Sequence, residues 1–342
     1  MEGLTREERR RFGALLEQRP QAEVMARIPQ FSQAEPFGFA PPPPEPAEAV
    51  GVLVFNMERG VHLGALGDFL ERCPEVRPFD VILANELDDG CVRSGGRHTA
   101  RELARRLELN GAFGLEFVEL VNPEDPKGFH GNAIFSRWPL RWARVVRLPE
   151  AYNWYFDRQR RIGGRVAVLA ELDVGGKPLG VGTLHLENRT HGPGRQAQLE
   201  AVLEAADAWF APETPVVLGG DLNTNTFDGR DKDAIQAIAA SPALRRRCLE
   251  DVGLWEGSLP AAEARGYRLL PEIPAETRRK PLPGGGWLGL RLDWLLVRGL
   301  AARESRTVST RKEDWTFRGL ESFPGPELSD HNAVWASLVW PR

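Results

Sequence analysis

Short apolar runs alternate with helical patterns through most of the chain. The segments Val50–Asn56 (VGVLVFN), Phe79–Glu86 (FDVILANE), Gly131–Arg137 (GNAIFSR), Arg165–Val174, Lys177–Leu186, Pro215–Leu222, Arg291–Val297 and Ala333–Trp340 have the length and apolar content of strands. An amphipathic helix is predicted from Thr99 (TARELARRLEL), with Glu102 at capping-box spacing and Gly111 placed to end it. A second runs from Arg195 to Phe210 (RQAQLEAVLEAADAWF), and a short one opens at Thr5, capped by Glu8, and stops before Pro20. Long apolar strands mixed with helices predict a layered α/β sandwich in which helices cover buried sheets. No segment repeats at a fixed period.

Composition divides this pattern. The stretch PFGFAPPPPEPAEA (Pro36–Ala49) is dense in proline and predicts a semi-rigid extended tether, although its PxxP could also seat in a partner's groove. Three segments follow: an N-terminal helical segment over residues 1–35, a linker over 36–49 and the main, catalytic domain over 50–342. The balance of 44 Lys+Arg against 48 Asp+Glu, a net charge of -4, argues against non-specific duplex binding as the main role, while leaving room for a local basic groove. The three cysteines, Cys73, Cys91 and Cys248, have the spacing of neither a disulfide framework nor a zinc ribbon. With no apolar signal core and no membrane-length apolar run, the expectation is a cytoplasmic protein with no integral membrane association and no obligate protein partner.

Several of the apolar runs end on a single polar group: Asn56, Glu86, His185 and Asp221. A buried strand ordinarily ends in a turn residue, so these endings predict that four strands deliver side chains to one place. In VVLGGDLNTNTF (Val216–Phe227), two glycines let the chain turn sharply while it presents Asp221 and Asn223. Together with Asp293, Asp330 and His331, these residues offer hard oxygen donors, suited to Mg²⁺ or Mn²⁺, beside proton-transfer groups. That set suits attack of water on a phosphorus ester, and neither a GxSxG elbow nor a Walker A loop is present to suggest otherwise. Taken singly, each residue has an ordinary reading: an Asx-turn for Asp221, a solvated acidic turn for Glu86, a core histidine for His185. Asp293 is harder to dismiss, because an unpaired carboxylate in an apolar strand is costly. GGGWLG (Gly284–Gly289) satisfies GxGxxG but precedes no helix, and is read as a flexible loop. His185 and His191 lack the further ligands that zinc would need.

The motifs VLVFN, ILANE, GNAIFSR, GTLHL, GGDLNT, RLDWLLV and LSDHNAV occur in this order across residues 50–339. In that order they resemble the endonuclease/exonuclease/phosphatase superfamily, the DNase I-like fold that includes abasic-site endonucleases, sphingomyelinases and inositol-polyphosphate phosphatases. The resemblance implies a four-layer α/β sandwich, two central mixed sheets flanked by helices, with the site at one edge. It implies a metal held chiefly by Glu86, with Asn56 and Asp330 completing the metal site; Asn85 stands where the family usually has glutamine. It implies that Asp221 orients or deprotonates the water, that Asn223 and His331 contact the phosphate, and that His185 acts as phosphate donor or acid where abasic-site enzymes have tyrosine. Asp293 would fix the ring of His331.

For the substrate, YNWYFDRQRRIGGR (Tyr152–Arg165) sets four aromatics among four arginines. Such a loop can stack bases and hold phosphates, dock on a lipid headgroup, or pack its aromatics inward and leave the arginines solvated. Trp154, Tyr155 and Arg161 are assigned to substrate binding, with Asn132 of GNAIFSR. Asp88, Asp89 and Arg97 line the pocket or merely cap a helix, and His130 approaches the site or ends a hairpin. Arg245–Arg247 and Arg278–Lys280 add basic spots. The sequence thus predicts a metal-dependent phosphoester hydrolase, a nuclease ahead of an enzyme for lipid or small phosphoesters, with a non-catalytic binding protein as the remote alternative. The intact polar set counts against the last.

Overall fold

The computed structural model describes residues 1–42, 48–226, 231–251 and 253–341. Among these residues the first sheet contains β1 (Ala34–Phe37), β2 (Ala49–Arg59), β3 (Val81–Asp89), β4 (Asn110–Glu119), β5 (Phe129–Ser136), β15 (Ala301–Val308) and β16 (Ala333–Val339), in the order β1-β4-β5-β3-β2-β16-β15, with β7 (Arg161–Gly163) also pairing with β4. The second contains β6 (Leu140–Arg147), β8 (Val166–Val174), β9 (Lys177–His185), β10 (Val216–Asp221), β11 (Arg268–Leu270) and β14 (Asp293–Arg298), in the order β11-β14-β10-β9-β8-β6. A separate hairpin joins β12 (Arg278–Pro281) to β13 (Trp287–Leu290). Both main sheets mix parallel and antiparallel pairs.

Strand alternation explains the layers. In β2, Val50, Val52 and Val54 point between the sheets and meet Val168, Val181, Val217 and Leu295 of the second sheet. Leu53 and Phe55 point the other way, into a core with α3 (Leu63–Arg72) and α4 (Thr99–Arg106). Such burial on both faces is why β2 reads as an unbroken apolar run. The second sheet's outer face packs under α5 (Gly192–Trp209) and α8 (Ser258–Ala264) through Leu199, Val202, Leu203 and Leu259. The result is helix, sheet, sheet, helix: the four layers expected. The two remaining helices of this half, α6 (Lys232–Ala240) and α7 (Pro242–Glu250), support β13.

At the N-terminus, α1 (Arg6–Leu15) has the predicted Thr5–Glu8 capping box, and a short α2 (Gln21–Met25) follows Pro20. Leu4, Phe12, Leu16 and Val24 bury against Leu115, Val118, Phe129 and Ile162 of the first sheet. Pro36 and Phe37, expected to begin the tether, instead close β1, where Pro36 sits opposite Ala112 on an edge strand that tolerates its missing donor. Residues 43–47, the centre of the expected linker, lie outside the described residues.

Other boundaries move for local reasons. The cap of α4 is His98, while the Thr99 hydroxyl donates to the Asp88 carbonyl at 2.8 Å. The helix ends at Arg106 because Glu108 turns left-handed, at φ 53°, ahead of β4. GGGWLG is a loop only in its first half: Gly284, Gly285 and Gly286 have positive φ in the hairpin turn, and Trp287–Leu290 is β13. Strands β6 and β15 escape sequence reading because they are edge strands whose arginines and glutamate interrupt the apolar run. No helix among the described residues is long and apolar enough to cross a membrane.

Candidate active site

Register alone brings three of the expected residues together. Asp221, the last residue of β10, pairs with His185 at the end of parallel β9 and with Asp293 at the start of antiparallel β14. Paired residues of adjacent strands project to the same face, so the three side chains form one row at the sheet's edge. The glycines before Asp221 permit this closeness. A Cβ on Gly220, whose φ is 150°, would stand 1.9 Å from the Leu184 carbonyl oxygen. The backbone after Asp221 makes the turn that the ordinary reading foresaw: Asn223 N–H donates to Asp221 Oδ1 at 3.0 Å, and Asn223 Nδ2 donates to the Leu186 carbonyl at 3.0 Å.

The first sheet delivers its groups differently. Between Ala84 and Leu87 the pairing of β3 with β5 slips, and Glu86 sits in the bulge with φ 55°. A bulge of this kind re-aims a side chain. Asn56, where β2 loses register with β3, donates its Nδ2 to Glu86 Oε1 and to Asp221 Oδ2, both at 3.2 Å, and so ties the two sheets together. In this arrangement Asn56 orients two carboxylates. Asn85 is the second tie: its Oδ1 accepts from Asp221 N–H at 2.8 Å, and its Nδ2 reaches Asn132, Thr183 and the Leu184 carbonyl. The shorter asparagine, in place of glutamine, thus fills a hydrogen-bonding position between the sheets. Burial would raise the Glu86 carboxyl, but His185, His130, Arg59 and His331 outweigh it and hold the group well below the usual carboxylate range.

His331 completes the row. Its Nδ1 lies 2.8 Å from Asp293 Oδ2 and its Nε2 3.6 Å from Asp221 Oδ2. Burial pulls the imidazole down, yet Asp293 and Asp221 lift it to about 10, so it is a cation at neutral pH. Ser329 Oγ donates to the Asn56 carbonyl at 2.6 Å and pins this segment to β2. Asp330 reaches the same cavity, but its carboxylate is ion-paired with Arg278.

His185 is held by two residues that the sequence reading passed over. The Arg165 guanidinium is 3.0 Å from the ring nitrogens, and Glu116 Oε2 is 3.4 Å from Nδ1. Burial and Arg165 pull His185 down, and Glu116 and Asp221 more than offset them, leaving it raised. Glu116 falls in β4 (NGAFGLEFVE), an unread strand. An acid amid alternating apolar residues was the available signal.

The cavity beside Glu86 measures about 320 Å³ and is walled by Arg59, Arg158, Arg161, Arg165 and Arg189, with His130, His185, Trp154 and Asp330. Arg161 is buried against Glu119 at 3.1 Å. Trp154 is buried too, its indole N–H on Glu187 at 2.9 Å and the guanidinium groups of Arg161 and Arg165 over its ring. Two assignments need correction. Tyr155 turns away from this cavity into the core under α1, its hydroxyl 2.7 Å from Glu17, because one face of the loop must anchor the N-terminal segment. Asn132 is fully buried beneath the site, accepting from Glu86 N–H and donating to Glu116, so it supports the bulge rather than the substrate. Of the acids after Glu86, Asp88 fixes His130 at 2.8 Å and Asp89 pairs with Lys127; Arg97 is not among the cavity's lining residues.

Residues 53–331 match the profile of the Endonuclease/Exonuclease/phosphatase family. The chain belongs to this family. Comparison with curated proteins gives no sequence match. Among solved structures, the fold is similar to an endonuclease/exonuclease/phosphatase from Beutenbergia cavernae, 18% identical over 86% of this chain and 72% of that one, with a TM-score of 0.50. It is also similar to a functionally unknown conserved protein from Enterococcus faecalis, 13% identical over 85% and 100%, with a TM-score of 0.54. A mannosyl-6-phosphatase from Bacteroides thetaiotaomicron is 15% identical over 85% and 100%, with a TM-score of 0.50. At these identities the likeness is one of fold.

Endonuclease/Exonuclease/phosphatase proteins generally act on phosphoesters and typically use divalent metals. The donor chemistry of this member fits such an ion. Carboxylate oxygens of Asp221 and Asp293 lie within 4.8 Å of each other beside the His331 ring, and Glu86 is kept ionised across from them on the Asn56 tie. All the carboxylates are hard oxygen donors.

Proposed function

We propose that the protein is a divalent-metal-dependent hydrolase that cleaves a phosphodiester with an activated water, acting on nucleic acid in preference to lipid or small-molecule phosphoesters. The observation that carries this reading is the row His185–Asp221–Asp293, set by register and capped by His331, opposite the bulged Glu86. Glu86 would be the principal ligand of Mg²⁺ or Mn²⁺, with Asp330 at the rim, and the bound ion would neutralise a non-bridging phosphate oxygen. Asp221, tied to Asn56, accepts a hydrogen bond from the attacking water and orients it. His331, kept cationic by Asp293, donates from Nε2 to a phosphate oxygen on which charge develops. His185 donates beside it, its ring fixed by Glu116 and Arg165. Asn223, its amide shared with the Leu186 carbonyl, stands next to Asp221 to hold the phosphate. The arginines of the cavity add positive charge without carrying the reaction.

Support comes from the family membership and from a solved neighbour named a mannosyl-6-phosphatase, whose name places a phosphorus ester on this fold. A panel of single- and double-stranded DNA, RNA, sphingomyelin, phosphoinositides and bis-p-nitrophenyl phosphate, assayed with Mg²⁺ or Mn²⁺ and again with a chelator, tests the reading. Hydrolysis of a diester that the chelator abolishes is the expected result. Full activity in chelator overturns the metal mechanism, and turnover of lipid alone overturns the choice of nucleic acid.

A further inference from the structure

A second basic concavity lies where the N-terminal helix α1, which precedes the residues that match the family, meets the main domain. Helix α1 packs beside the loop 152–161 and leaves a groove of about 300 Å³ lined by Arg6, Arg9, Arg10, Glu17, Tyr155 and Arg160. Its lining holds four arginines, Arg6, Arg9, Arg10 and Arg160, against two acids, Glu17 and Glu119. Arg6 pairs with exposed Glu124, and Arg160 with Glu17 at 3.6 Å. Arg9 is buried, 6% exposed, yet its guanidinium donates to the backbone carbonyl of Asp125 rather than to a carboxylate. Arg10 has no ion-pair partner among the described residues, and neither does Arg158 on the catalytic side. Arg10 and Arg158 are exposed, so their charge is open to an anion from solution.

The loop 152–161 is the partition between this groove and the catalytic cavity. Trp154 and Arg161 face the cavity, and Tyr155 and Arg160 face the groove. Phe156 follows Tyr155 in this loop, edge-on to it and 71% exposed. Basic concavities on the two faces of a loop that carries an exposed aromatic match the periodic chemistry of a nucleic-acid strand, in which phosphates alternate with flat bases. A lipid would present its phosphate beside a broad apolar surface, and Phe156 is the only residue of this loop among the large exposed hydrophobics.

We propose that α1 and the loop 152–161 form a second, non-catalytic phosphate-binding groove that holds a single-stranded nucleic acid on one side of its scissile phosphate, with a base stacked on Phe156. This rests on the hydrolase reading above for its direction of travel, but binding can be measured without catalysis. Fluorescence anisotropy with a labelled oligothymidylate in chelator reads it directly. Phe156→Ala should weaken binding at least about fivefold. Arg10→Gln should lower the slope of log affinity against log salt by about 0.7, the loss of one phosphate contact on a single strand. In turnover with Mg²⁺, the double variant should lose at least about tenfold more activity on the oligonucleotide than on bis-p-nitrophenyl phosphate, a diester too small to span both sites. Wild-type affinity in both variants overturns the groove, as does a wild-type protein that binds vesicles of phosphatidylserine but no oligonucleotide. A protein that hydrolyses nothing, yet binds the oligonucleotide in a manner sensitive to Phe156 and Arg10, leaves the groove standing and removes the hydrolase reading instead.

Discussion

The two sheets reach the site by different means. The second sheet brings His185, Asp221 and Asp293 together by uninterrupted pairing, in one row where its strands begin or end. The first sheet breaks its pairing to do the same: Glu86 occupies a bulge with left-handed backbone, and Glu58 and Arg59 also have positive φ where β2 and β3 lose register. Regular pairing fixes direction cheaply. A bulge costs local strain and needs support, which Asn132 supplies under Glu86 and Asn56 supplies across the gap. The regular edge would therefore carry the groups that act on water and phosphate, and the broken edge the group that carries the metal.

If that division is right, the largest loss belongs to Asp221. Asp221→Asn keeps the side chain's shape and an oxygen for the Asn223 turn, gives up the contact accepted from Asn56, and removes the proton acceptor; kcat should fall by about 10²–10⁴, while oligonucleotide affinity stays within a few-fold. An active Asp221→Asn protein would reduce the edge of β10 to a turn. Glu86→Gln should come next, lowering activity by roughly 10²-fold at limiting metal and raising the Mg²⁺ concentration needed for half-activity. A Glu86→Gln enzyme with unchanged metal dependence would move the ion to the other edge, onto Asp221, Asp293 and His331.

The same division explains what was legible in the sequence. Strand ends at Asn56, His185 and Asp221 can be read because a buried strand that stops on a polar residue is visible in one dimension. The pairing of His331 with Asp293 was readable as a need: a carboxylate in RLDWLLV has to be balanced by something. Glu116 and Arg165 were missed because their roles come from pairing between elements far apart in the chain, and β4 was hidden by its glycines. Trp154 and Tyr155 cannot be told apart in the sequence because a loop sequence does not say which face of the loop turns inward: Trp154 lines the cavity and Tyr155 does not. Here the burial of Tyr155 is decided by α1, which composition had set apart as a separate segment.

The support beneath His185 offers a test that reads stability. Burial would raise Glu116, but His185 and Arg165 outweigh it and depress the carboxyl from 4.5 to about 2. A folded-state value below the unfolded one stabilises the protein above the unfolded value, and that stabilisation is lost as pH falls from about 4.5 towards 2. The span corresponds to roughly 3 kcal/mol for this fully buried group. The midpoint of thermal unfolding should therefore drop more steeply with acidification in the wild type than in Glu116→Gln, which lacks the titrating group. Parallel curves across this window would mean that Glu116 is not held ionised by the Arg165–His185 pair.

The smallest effect separates anchoring from contact with substrate. Tyr155 faces the groove under α1, with its ring in the core and its hydroxyl on Glu17, a half-exposed acid. Tyr155→Phe keeps the ring and its buried area and removes only that hydrogen bond, a net cost of about 0.5–1.5 kcal/mol. Unfolding should shift by a few degrees, while kcat/KM for bis-p-nitrophenyl phosphate is retained, because the hydroxyl points to α1 and away from Glu86 and His185. The opposite pattern, unchanged unfolding with a tenfold loss of hydrolysis, would put the hydroxyl in the cavity and return Tyr155 to the substrate. The companion variant Trp154→Phe sharpens the contrast. It removes the indole donor to Glu187, which also receives Arg165 Nε at 3.4 Å, so its effect should pass through Arg165 to His185 and appear in kcat as well as in stability. Two adjacent aromatics of one loop would then differ by the face of the loop they occupy.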